Sequence, residues 1–138
     1  MTVETTVTTT RRPDLAVGLI TMRDGRERPA PESAGIVAGV VEVTATIRNL
    51  GDALADETIT RFWMRGDDVD REMRVVHTPG LLPGDEIEVT ALWDVSHRHG
   101  VYTITVTADA FGQLDEVHID NNVGTAQVAV RGTRVEFV

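Results

Sequence analysis

The chain has 138 residues, 41% of them hydrophobic, and sets 22 acidic against 13 basic side chains for a formal charge of −9. That length suits one domain with its own core, and that charge repels nucleic acid and anionic membrane surfaces, so no nucleic-acid partner is expected. The absence of cysteine excludes disulfides, thiol nucleophiles and thiolate metal sites, and no run approaches the roughly 18 apolar residues of a membrane span, so no membrane insertion is expected.

Met1 to Thr10 is polar and threonine-rich, with no apolar signal segment. Residues 1–12 are therefore read as an arm with strand propensity but too little apolar surface to fold alone. Pro13 opens a first strand carrying Leu15, Val17 and Leu19, since proline suits a strand start. Arg23 to Gly35, rich in charge, proline and glycine, reads as an exposed loop. Val41, Val43, Ala45 and Ile47 then alternate with Glu42, Thr44, Thr46 and Arg48, the period of a strand with one wet and one buried face. Asn49-Leu50-Gly51-Asp52 closes it as a turn.

Thr58 to Arg65 holds Ile59, Phe62, Trp63 and Met64, so both faces are covered, and one of the adjacent aromatics must face away from the core. A short strand through Met73 and Val75 follows a turn at Gly66 to Asp68. Leu82-Pro83-Gly84-Asp85 places proline and glycine at the centre of a type II turn. Ile87, Val89, Ala91 and Trp93 alternate next, then Tyr102, Ile104, Val106 and Ala108 after a break at His99-Gly100, and finally Ala126, Val128 and Val130. Thr133 to Val138 also alternates, Val135 and Phe137 against Arg134 and Glu136, as an extension of that last strand. About seven strands with turn signals between them give an all-β fold, an antiparallel sandwich over residues 13–131 flanked by the arm and by a 132–138 extension.

Few constellations carry chemistry. Asp109, Asp115, Glu116, Asp120, Asn121 and Asn122 gather hard oxygen donors in one loop region, the donor type that calcium selects. Their spacing fits no EF-hand, and the heavier reading is that Asp and Asn cap turns by bonding loop backbone. His97 and His99 beside Asp94, with His77 or His118 as a third ligand, would share a face for a transition metal if the segment were extended; exposed loop histidines are the simpler reading. Trp63, Trp93 and Tyr102 could stack on sugars, although the strand positions of Trp93 and Tyr102 favour the core, which leaves Trp63 as the aromatic to test for exposure. The two serines, Ser33 and Ser96, lie in no nucleophile motif, so no catalytic residue and no enzyme activity is expected.

Taken together, Pro13-Asp14-Leu15-Ala16-Val17, Val43 through Ala53, Leu82-Pro83-Gly84-Asp85 leading to Trp93, Gly100 through Ile104, Ala108-Asp109, Asp115-Glu116-Val117 and Asp120-Asn121-Asn122 form one ordered pattern. It resembles the CARDB family, the cell-adhesion-related domain found in bacteria and archaea, over about Pro13 to Arg131. The resemblance implies an immunoglobulin-like β-sandwich of extracellular or cell-surface proteins, with adhesion or scaffolding rather than catalysis as its role. The expected partner is a protein or surface polymer met by loops and sheet edges. The alternative is a homo-oligomer, a dimer or fibre, in which the arm or the tail adds as a strand to a neighbouring copy.

Overall fold

The computed structural model describes residues 11–24, 36–37, 39–114, 116, 120–131 and 134–138. In chain order the strands among these residues are β1 (Leu15–Asp24), β2 (Ile36–Val37), β3 (Val40–Asn49), β4 (Thr58–Arg65), β5 (Asp70–Thr78), β6 (Glu86–Asp94), β7 (Gly100–Thr107), β8 (Val123–Arg131) and β9 (Arg134–Phe137), with a 3₁₀ turn at Asp120–Asn122. They form a three-stranded sheet ordered β1-β3-β6 and a six-stranded sheet ordered β2-β9-β8-β7-β4-β5, antiparallel throughout. This is the expected antiparallel sandwich. The additions to the seven expected strands are the two-residue β2 and the returning β9.

Strict alternation builds the short sheet. Val41, Val43, Ala45 and Ile47 of β3 are fully buried, while Thr44 on the wet face bonds Thr90 across the β3–β6 pair at 3.0 Å. Phe62 and Met64 of β4 and Tyr102, Ile104 and Val106 of β7 close the core from the large sheet. Trp93 and Tyr102 meet edge to face, centroids 5.5 Å apart at 76°, the geometry that the aromatic quadrupole favours. The Leu82–Asp85 turn is closed by the Asp85 N–H donating to the Leu82 carbonyl at 3.0 Å, with Gly84 at the positive φ of 85° that a type II turn demands.

Four expectations change. In β1 the register with β3 slips between Val17 and Ile20, and this bulge turns Leu19 outward to 70% exposure while Ile20 and Met22 pack on the core. In β5 a second slip lies opposite Phe62 and Trp63; Met73 and Val76 are the residues that pack inward, and Val75 is exposed. Arg23 and Asp24 belong to β1, and residues 25–35 of the expected loop lie outside the described part, as do residues 1–10 of the arm. The tail does not run on from β8. It turns back as β9, pairing Val135 with Val130 and burying Val135, with β2 on its other side.

Candidate functional site

The acidic loop region and the start of β1 come together as a polar clasp. The Asp14 N–H donates to Asn49 Oδ1 at 3.1 Å, the Leu50 N–H donates to the Asp14 carbonyl at 2.7 Å, and Asn121 Nδ2 donates to Asp14 Oδ1 at 3.0 Å. The Leu15 N–H donates to Glu116 Oε2 at 2.8 Å, and Glu116 Oε1 accepts from Asn122 Nδ2 at 2.8 Å. Asp109, in the left-handed region at φ 46°, accepts from the Gln113 and Leu114 N–H groups at 2.8 and 2.9 Å. Asp14, Asp109, Glu116 and Asn122 are all buried. Burial pushes the Glu116 carboxyl above the usual carboxylate range, against the pull of the Leu15 and Asn122 hydrogen bonds, and the neighbouring Asp109 pushes in the same direction.

Of the six residues weighed as calcium donors against turn caps, Asp109, Glu116, Asn121 and Asn122 are thus drawn into one network. Asp115 and the Asp120 side chain lie outside the described part. The carboxylate oxygens of Asp109 and Glu116 already accept hydrogen bonds, and among the described residues no three acidic or histidine side chains are arranged to share a metal ion. Two buried amide oxygens, Asn121 Oδ1 and Asn122 Oδ1, accept no hydrogen bond from the described residues. The clasp therefore presents the capping chemistry of Asx residues, with carbonyl oxygens rather than carboxylates left over.

Sequence reasoning took Asn49 only as a turn residue. It is completely buried and makes four bonds: Oδ1 accepts from Asp14 and Gly51, and Nδ2 donates to the Ala53 and Leu81 carbonyls at 2.8 and 2.9 Å. Gly51 is required beside it, because a Cβ there would lie 2.3 Å from the Arg12 carbonyl oxygen. A polar residue ending an apolar alternation just before glycine was the available signal.

The histidines do not assemble. His97 sits in a tight turn at φ 64°, so the extended geometry that would align it with His99 is absent. Asp94 instead accepts from the backbone N–H of Ser96 at 2.9 Å, which with the Ser96 hydroxyl holds its carboxyl below the usual range. His77 pairs with Glu57 at 3.1 Å beyond the Thr107 end of the large sheet, whereas His99 precedes Gly100 at the other end, about 30 Å away at strand rise. His118 lies outside the described part.

The aromatics divide. Phe62, Trp93 and Tyr102 are core residues, and Trp63 is half-buried on the outer face of the large sheet. Its Nε1 donates to Asp70 Oδ1 at 2.7 Å, and Arg65 reaches Asp70 Oδ2 at 3.3 Å; both hold the Asp70 carboxyl below its usual range. Arg61 lies with Nε 3.2 Å from Glu72 and its guanidinium 5.2 Å from the Phe111 ring centre. With Thr103, Thr105 and Thr107 of β7, these β4 side chains line a shallow depression of about 380 Å³.

Among known proteins, a model of the CARDB family matches residues 12–126. No curated protein matches. A CARDB domain from Pyrococcus furiosus, solved in complex with di-metal ions, is 26% identical, with a TM-score of 0.67 over 87% of this chain and 90% of that one. A domain of a candidate cell surface protein from Methanosarcina acetivorans is 21% identical, with a TM-score of 0.65 over 89% of this chain and 96% of that one. A β-glucosidase from Thermotoga neapolitana shares the fold alone, at 12% identity and a TM-score of 0.59, over 91% of this chain and 17% of the enzyme.

Proposed function

The chain belongs to the CARDB family, and from that premise we propose that it is a non-catalytic binding or adhesion module of a surface or secreted type. The family match over residues 12–126 carries this reading, and the cell-surface description of the Methanosarcina relative supports the location. Within the fold, contacts with a protein or surface polymer would fall to the loops and to the free edges at β1, β6 and β5. Fold alone assigns no function, so the reading rests on membership together with these surfaces.

Light scattering over a broad concentration series, with and without Ca²⁺, tests it. A constant monomer mass is the expected result. A defined dimer or a growing polymer would replace this reading with self-assembly through strand addition. Calcium binding by the clasp enters the same experiment: the Pyrococcus relative holds metal ions, and in this chain the oxygens of Asn121 and Asn122, unpartnered among the described residues, are the groups a cation would recruit. A Ca²⁺-dependent rise in melting temperature at constant mass would support that role.

A further inference from the structure

We propose that the outer face of the large sheet, around Trp63, is a binding platform for a neutral hexose polymer. The proposal deepens the binding-module reading and rests on it by naming the surface and the ligand class. Residues 61, 63 and 65 of β4 point to one side by the period of the strand, and they lie opposite Thr107, Thr105 and Thr103 of β7. The next strand continues the platform, with exposed Thr125 opposite Thr105 and exposed Gln127 opposite Thr103. An aromatic ring therefore stands beside a terrace of hydroxyl and amide groups that runs about 13 Å along β7 at strand rise.

Three observations select the ligand. First, the indole is already oriented, since its edge is tied to Asp70 at 2.7 Å; a fixed ring loses little freedom on stacking. Second, the threonines of β7 are available. Thr44 pairs with Thr90 and Thr60 with Thr78 through their hydroxyls, whereas Thr103, Thr105 and Thr107 make no such pair among the described residues. Third, the charges cancel locally: Arg61 faces Glu72 at 3.2 Å and Arg65 faces Asp70 at 3.3 Å. A chain of charge −9 thus presents here a patch whose charges pair off, rich in hydrogen-bonding groups and lined in part by the half-buried indole. Pyranose rings offer the complement, an axial C–H face for the indole and equatorial hydroxyls for the threonines and guanidinium groups. The depression of about 380 Å³ lies within the size range of small-molecule sites.

The test is retention of the full chain by insoluble cellulose, starch and mannan, with polygalacturonate as an anionic control, for the wild type, Trp63→Ala and Thr105→Glu. Wild type should be retained by at least one neutral polymer, and each variant at least about ten-fold more weakly, the loss expected for one central contact. In parallel, the matching soluble oligosaccharide should shift tryptophan emission in the wild type and leave it unchanged in Trp63→Phe, where only the core Trp93 reports. Near-UV circular dichroism of the Trp93–Tyr102 pair verifies that each variant is folded. Retention by none of the neutral polymers, or by polygalacturonate alone, overturns the ligand class while leaving the binding-module reading to its own light-scattering test. Undiminished retention of both folded variants overturns the assignment to this face but upholds a binding module.

Discussion

Asn49 and Glu116 show how much structure single polar side chains hold here. Asn49 satisfies two backbone N–H groups and two carbonyls from one buried amide. Asn49→Ala should therefore lower unfolding free energy by about 3 kcal/mol or more, because buried partners are left unpaired, and a urea titration would measure it. Glu116 makes a prediction in pH. Its raised value means that the folded chain holds this proton more tightly than the unfolded chain does. Its contribution to stability is thus fully present in acid and is lost as pH rises through the folded value. Glu116→Gln is neutral at every pH, so its urea midpoint relative to wild type should climb from acid to neutral pH; a constant difference would show that Glu116 does not titrate in this way. Both residues were visible in the sequence, yet their roles were not, because those roles depend on partners 35 and 101 positions away.

Among the elements, β3 and β7 were legible because their burial follows the apolar alternation of the sequence. β1 and β5 were only half legible. A bulge changes which face a residue occupies, and nothing in the apolar pattern around Leu19 or Val75 marks where the extra residue falls. The return of β9 was hidden for a related reason: alternation reports a strand but not the direction in which the chain enters it. At the site, Trp63 was singled out from its neighbour Phe62 as the aromatic to test for exposure, but its bond to Asp70 and its place opposite Thr105 needed the strand order. One element contact lends itself to a direct check. A Cβ on Gly124 of β8 would sit 2.6 Å from Val17 Cγ1 of β1, so glycine allows these strands of opposite sheets to approach. Gly124→Ala should cost about 1–3 kcal/mol by overpacking, and Val17→Ala in the same chain should recover part of that loss, a coupling readable from a double-mutant cycle.

For the whole molecule, the large sheet depends on its last strand. β9 adds the buried Val135 to the core and occupies the edge of β8 from Val128 to Arg131. Removing residues 132–138 should lower stability by about 2 kcal/mol or more through lost apolar burial. It should also bare a strand edge open to pairing with other chains. Urea titration and light scattering of the shortened chain would register the two effects separately.

The clasp at Asp14 and Leu15 has a mechanical consequence. A pull on the chain ahead of β1 arrives where bonds run to Asn49, Leu50, Glu116 and Asn121, groups that belong to the end of β3, the turn after it and the segment that leads into β8. Such a load cannot unzip β1 from β3 one pair at a time. It has to break several anchors together, which spreads the tension through the sandwich before the first strand gives way.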